Sequence, residues 1–363
     1  MKKKNLFLKS TSSLLAMLFV VMSAFMFTAC DGDDPEPDPE PEPENSILEI
    51  VTASESHTQL EAFVNADTDL ASALGGSDLT LFAPNDAAFE KLRVTLGVES
   101  LNQVNPAVIG AVLRFHAVAS VELRESFTEE TTLTTLQGED ISFNANENIA
   151  TGGSDTDVEF VGDEILATNG VVHVVETILI PPTIFATIGA NLGKVSQTVL
   201  LGADFSTLAA AIAKADTYAA ETEGVTPLTQ ILAGAAGPEQ ITVLAPVNQF
   251  FSDNEITLDS YSAQEWYGII GNHVIGSKEL RAEFTYIDDA NIVTFRTLVG
   301  GTITVVPSGG LDSNGVAGAE AGFVDAEGTF NIESENGVVH AIYGALVPAS
   351  AGRYSIDAKY TVK

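Results

Sequence analysis

The chain is poor in the residues from which most protein chemistry is built. It has one cysteine, one tryptophan and five histidines, and 16 basic residues stand against 50 acidic ones. A single thiol excludes any intrachain disulfide, so each folded unit must be held by its apolar core. The net charge of −34 makes nucleic acid and anionic membrane surfaces poor partners, since both require clustered Lys and Arg. It favours cationic partners or a solvated acidic coat. Signatures of common enzyme sites are missing as well: the sequence contains no phosphate-binding loop, no Gly-x-Ser-x-Gly and no His-Glu-x-x-His. No cofactor, metal site or catalytic residue is expected on these grounds.

What the sequence does have is repetition. Asn169-Gly-Val-Val-His173 returns as Asn336-Gly-Val-Val-His340, 167 positions later. Upstream, Thr80-Leu-Phe-Ala-Pro84-Asn85-Asp86 is matched by Thr242-Val-Leu-Ala-Pro246-Val-Asn248, 162 positions on. Between them, Arg114-Phe-His116 corresponds to Gly271-Asn-His273 at 157. Ordered matches at nearly constant spacing indicate a duplicated domain, far longer than the 20–50 residues of a solenoid repeat.

The same three blocks, a Thr-x-Phe-Ala-Pro segment, a Phe-His element and an Asn-Gly-Val-Val-His segment, resemble the fasciclin domain, twice in the same order. The resemblance covers nearly all of the chain after its N-terminal region and implies two tandem fasciclin-like domains, over residues 46–182 and 183–349. It departs from the family at two places. Phe115 and Asn272 stand where relatives carry the Tyr of a Tyr-His motif, and Leu244 replaces the Phe of the second Ala-Pro block. No adhesive role of that Tyr can therefore be carried over.

The N-terminus reads as an export signal over residues 1–29. Four lysines precede 14 nearly all apolar residues, Leu14 to Phe27. That stretch is short of the ~20 residues a spanning helix needs. Phe27-Thr28-Ala29-Cys30 then looks like a lipoprotein cleavage box, with Cys30 as the lipid attachment site. Loss of residues 1–29 would remove four lysines and no acid, leaving 12 basic against 50 acidic residues, a net −38. Residues 30–45 form an acidic, Pro-rich tether; extended at ~3.1 Å per residue it would hold the first domain about 45 Å from the membrane. The acidic run after Cys30 points to display on the surface of a bacterial outer membrane, with the periplasmic face as the alternative. Residues 350–363 read as a C-terminal tail.

Within each repeat, helical spacing precedes strand-like alternation, which predicts an α+β fold. Helices are expected from Ser46 to Val64, from Asn85 to Leu92, over Ala107–Ala117, from Phe205 and over Ala263–His273. Strands are expected at Thr80–Ala83, Leu133–Leu136, Ile141–Phe143, Val158–Phe160, Val171–Ile180, Ile241–Ala245, Val293–Leu298, Thr302–Val306, Phe330–Ile332 and Gly337–Val347. Asn169-Gly170 and Gly152-Gly153 mark turns. The resemblance adds a β-sheet wedge with helices packed along it.

Pro84, Asn85, Asp86, His116, Asn169, His173, Pro246, Asn248, His273, Asn336 and His340 are the recurring motif positions, and core or capping roles are expected for them. His173, inside Val171-Val-His-Val-Val175, suits a histidine that satisfies a buried backbone group. Asp312-Ser-Asn-Gly opens like a calcium loop but has Phe323 at the twelfth position, where an EF-hand needs Glu. The expected function is a surface-anchored adhesion or recognition lipoprotein that binds an extracellular matrix protein or polysaccharide. The alternative is a polysaccharide-acting enzyme or enzyme accessory in the periplasm or on the surface.

Overall fold

The computed structural model describes residues 42–144, 146, 148–150, 157–313, 321–324, 326 and 328–348. The export signal, Cys30, most of the tether, the Gly152-Gly153 turn, the C-terminal tail and most of the Asp312 loop lie outside them.

The first half opens with three short helices, α1 (Ile47–Thr52), α2 (Thr58–Ala66) and α3 (Thr68–Leu74). Ser46 starts α1 with a capping box: its side chain accepts from Glu49 N, and Glu49 reaches back to Ser46 N. Strand β1 (Leu79–Pro84) follows, then α4 (Asp86–Leu96) and α5 (Pro106–Phe115). Pro106 sits at the first helical position of α5, where a missing N–H costs nothing. Short strands β2 (Ala117–Val118), β3 (Thr132–Thr134), β4 (Asp140–Ser142), β5 (Ile165–Ala167) and β6 (Gly170–Val175) complete this half.

The central pairing is parallel. Strand β6 lies beside β1 in the register Leu79↔Gly170 to Pro84↔Val175, with β2 and β5 antiparallel on the outer sides. Residues some 90 positions apart therefore become neighbours, the connection that a parallel pair requires. Both strands are buried, and β1 alternates. Leu79, Leu81 and Ala83 enter a core shared with the helices, while Phe82 points into a second core with Phe115, Phe127 and Phe143. This two-faced burial explains the unbroken apolar run of the motif.

The second half repeats the plan. After α6 (Pro182–Asn191) come α7 (Ser206–Glu221), α8 (Leu228–Leu232), β7 (Ile241–Pro246), α9 (Asn248–Asp253), α10 (Ala263–Gly271) and β8 (Val274–Ile275). Strands β9 (Thr294–Arg296), β10 (Thr302–Val305), β11 (Leu311–Asp312), β12 (Gly322–Phe323), β13 (Ile332–Ser334) and β14 (Gly337–Tyr343) follow. Strand β14 runs parallel to β7 from Ile241↔Gly337 to Pro246↔Ile342, the register of the first half shifted by the sequence repeat. Ile241, Val243 and Ala245 face the helices, and Leu244 faces a second core with Phe284 and Ile303. The α+β class and the sheet-with-helices architecture expected from the sequence are both observed. Several expected strands shorten to two or three residues, because turns and isolated bridges take over their ends.

The chain between the halves is a shared packing segment. Ile188 and Leu201 enter the first helix-side core, whereas Val195, Val199 and Phe205 enter the second. Gln197 Nε2 donates to Leu96 O at 2.8 Å, and Val104 forms an antiparallel bridge with Gly202.

Gly170 and Gly337 begin the returning strands at φ +153° and +154°. A Cβ at either would lie 1.9 Å from Leu79 O or 2.0 Å from Ile241 O, the carbonyls of the partner strands. Backbone cannot yield as a flexible side chain can, so Gly170→Ala should destabilise the fold by about 3 kcal/mol, the upper end for overpacking. Urea denaturation of the variant beside the parent chain measures it.

Candidate functional site

The recurring motif residues lie on the two parallel strand pairs or beside their ends, among buried backbone groups. His116 and His273 are 0% and 2% exposed. His116 Nδ1 lies 2.8 Å from Val112 O, and its Nε2 accepts from Leu179 N at 2.9 Å. His273 repeats this with Ile269 O at 2.8 Å and Leu346 N at 2.9 Å. A carbonyl only accepts and an amide N–H only donates, so both rings are neutral and carry their proton on Nδ1. Protonating Nε2 would aim one donor at another. Burial pushes both pKa values down to about 4, against a smaller opposing effect of the carbonyl.

His173 and His340 sit on the central strands in the opposite tautomer. Nε2 of each faces a carbonyl at 2.8 Å, Glu122 O or Glu279 O. Nδ1 of His340 accepts from Asn331 N at 3.1 Å. Their rings are packed among phenylalanines, with Phe82 stacked 5.5 Å from His173 and Phe284 edge-on 5.6 Å from His340. Burial lowers both pKa values. Arg124 and Arg281, again 157 residues apart, lie over Phe160 and Phe323 at 4.0 and 3.9 Å.

The asparagines serve the helices. Asn169 Oδ1 accepts from Ile47 N at 2.8 Å, while its Nδ2 donates to Leu74 O and Gly76 O at 3.1 and 2.7 Å. Asn336 likewise accepts from Val195 N and donates to Leu232 O, both at 2.9 Å. Asn85 caps α4 by accepting from Ala88 N at 3.0 Å. Asp86 reaches a different helix: its carboxylate accepts from Thr58 Oγ1 at 2.8 Å and Gln59 N at 2.9 Å, at the start of α2. Asn248 does the same for α7, accepting from Thr207 N at 2.9 Å. Pro84 and Pro246 end the central strands opposite Val175 and Ile342. Cys30 lies outside the described residues.

At the positions that depart from the family motif, Phe115 is buried in the phenylalanine core. Asn272 is fully buried and satisfied: it donates to Leu346 O and accepts from Thr297 Oγ1, both at 3.0 Å. Sequence reasoning assigned no role to Thr80 and Thr242, although they open the matching blocks. Each hydroxyl donates to one loop carbonyl, Ser120 O or Ser277 O at 2.7 Å, and accepts from Glu122 N or Glu279 N at 2.8 and 2.7 Å.

Ser54, His57 and Asp86 are the nearest approach to a nucleophilic constellation. Ser54 Oγ is 2.7 Å from His57 Nδ1. A working triad places Ser and Asp on opposite ring nitrogens, yet the Asp86 carboxylate is engaged by α2. Among the described residues no three His, Cys, Asp or Glu side chains converge to hold a metal ion. Among them, too, no helix is long and apolar enough to cross a membrane.

Residues 55–181 match the profile of the Fasciclin domain family. Residues 55–181 are thus a fasciclin domain, and the second half repeats its strand register. Human periostin is 26% identical over 252 residues, covering 64% of this chain and 26% of periostin. Transforming growth factor-beta-induced protein ig-h3 from Sus scrofa is 25% identical over 244 residues, 67% of this chain and 31% of that protein. The cell surface glycolipoprotein MPB83 of Mycobacterium bovis is 26% identical over 139 residues, 38% of this chain and 57% of that one. The chain thus spans about a quarter to a third of the length of the first two. A solved FAS1 domain pair from the insect cell adhesion molecule Fasciclin I covers 80% of this chain and 97% of its own, at 12% identity and a TM-score of 0.32.

The buried histidines predict a pH response. An unfolded chain binds protons on His116 and His273 below about pH 6.5, while the folded chain does not until about pH 4. The unfolded state therefore holds more protons in that window, and stability must fall as pH drops. The full contribution is present above pH 6.5 and is lost down to pH 4, on the order of 3 kcal/mol per histidine. Urea midpoints between pH 7.5 and 4.5 should show this loss before the depressed carboxylates begin to titrate.

Proposed function

We propose that this chain is a cell-surface recognition or adhesion protein. A lipid on Cys30 tethers it, and its fasciclin domains are presented to an extracellular matrix protein or polysaccharide. The observation that carries this reading is the fasciclin domain over residues 55–181, beside the similarity of the chain to a cell surface glycolipoprotein over 139 residues. The internal wiring supports it. The motif histidines, asparagines and threonines spend their hydrogen bonds on the chain's own backbone, so recognition falls to the outer faces and loops. The cleavage box before Cys30 and the charged, proline-rich tether after it suit a domain held away from a membrane. Several acyl chains, at ~0.8 kcal/mol per buried methylene, would make such an anchor lasting.

Protease treatment of intact cells, read by immunoblot against the folded domains, tests the placement. Loss of the signal while a periplasmic control survives is the expected result, and Cys30→Ser should move the protein from the membrane to the soluble fraction. Domains that survive on intact cells would overturn surface display.

A further inference from the structure

The halves share their strand wiring but differ on the helical side. In the first, a cleft of about 510 Å³ opens between the end of α2, the start of α3 and α5. Small-molecule sites run roughly 300–1,000 Å³. Phe63, Leu101, Val104 and Leu113 form its apolar walls. At one end Arg114 Nη2 lies 2.8 Å from Asp67 Oδ2 and 3.1 Å from Oδ1, with the two side chains 30% and 29% exposed. This pair can lie flat across α5 because position 110 is glycine. A Cβ there would come within 2.8 Å of Arg114 Nη1 and 3.0 Å of Asp67 Oδ2.

The second half closes the corresponding place. The 157-residue offset that relates His116 to His273 sets Tyr267 opposite Gly110 and Gly271 opposite Arg114. The Tyr267 ring packs edge-on against Tyr218 of α7, centroids 5.7 Å apart, and its hydroxyl donates to Thr226 O at 2.7 Å. Helix α7 is the counterpart of α2, since Asn248 caps one as Asp86 caps the other. The open cleft is therefore a property of the first half and no requirement of the fold.

The chemistry of the cleft selects its occupant. Asp67 neutralises Arg114, and Asp69 on the same rim leaves a negative balance that opposes an anion. Nε and Nη1 of Arg114 make no hydrogen bond to the described residues, while Thr68 and Asn102 add a hydroxyl and an amide. Donors and acceptors so interleaved suit hydroxyl groups, which do both, and Phe63 offers an apolar face to a ring of C–H groups. We propose that this cleft binds a short neutral oligosaccharide. The proposal names a ligand class for the surface-recognition reading and rests on it.

The test is titration of the full chain with cellotriose, maltotriose and laminaritriose, with trigalacturonate as the anionic comparison, followed by amide chemical shifts. At least one neutral trisaccharide should saturate, with shifts confined to residues 63–69 and 101–114. Arg114→Met should weaken it by about tenfold or more. Gly110→Tyr, which installs the residue of the second half, should abolish it; if that variant fails to fold, Arg114→Met carries the test alone. Saturation by trigalacturonate only, shifts elsewhere, or no saturation at tens of millimolar would overturn the cleft. Adhesion of cells displaying Gly110→Tyr separates the two readings. Retained adhesion beside absent trisaccharide binding by the parent chain would sink the cleft and spare surface recognition. Domains sealed from protease beside measurable binding would do the reverse.

Discussion

Everything recurrent in this chain follows from placing two parallel strands side by side with both faces buried. A backbone in that position has no water to bond, and each orphaned N–H or C=O costs about 1–3 kcal/mol. The ladder satisfies the strand interiors. The loops and helix ends that meet the strands need other partners, and the motif side chains are those partners. Asn169 and Asn336 bind helix starts and ends beside the returning strands. Thr80 and Thr242 bind the loops after β2 and β8. His116 and His273 join a helix end to the chain beyond the sheet. Gly170 and Gly337 are the steric side of the same constraint, since the partner carbonyl occupies the space of a Cβ.

This also explains how much could be read from the sequence. A constraint met twice in one chain leaves the same letters twice, so the motif blocks, the order of elements and the α+β class were legible. The strand at Thr80–Ala83 was legible too, although its burial on both faces shows only in the fold. The parallel pairing was not, because no local pattern reports which strand 90 residues away becomes the neighbour. Asp86 is the first residue of α4, and only the fold reveals that it caps α2. Thr80 looked like an ordinary β-branched strand residue, since nothing local shows a hydroxyl turned toward a buried loop. Arg124 and Arg281 carried a signal in their 157-residue spacing, but the Phe rings beneath them come from distant parts of the chain.

The two halves show which requirements can relax after duplication. Hydrogen-bond satisfaction holds at the position of Phe115: its polar counterpart Asn272 has Thr297 and Leu346 as partners. Volume and charge do relax. Asp86 and Asn248 perform one task with different charge, because an N-terminal helix turn needs an acceptor and only secondarily an anion. On the helical side, an Asp–Arg pair over a glycine and a packed tyrosine are alternative solutions at one place. An acidic chain holds such an arginine most readily against its own carboxylate, and that leaves the walls of the cleft free to differ between copies.

The junction ties these halves in a way a flexible linker could not. From residue 182 to 205 the chain contributes apolar side chains to both cores by turns, and Val104 bridges to Gly202. Loosening either core removes packing from the segment that the other also uses, so the stabilities of the two halves are coupled through shared contacts. A rigidly joined pair suits a protein that presents surfaces outward: loops held by a stiff frame lose less conformational freedom when they engage a partner than loops on independently tumbling units. The frame is costly in buried polar groups, and the neutral histidines set its working range on the acidic side. Its return is that the outer faces, free of any role in the wiring, remain open to change.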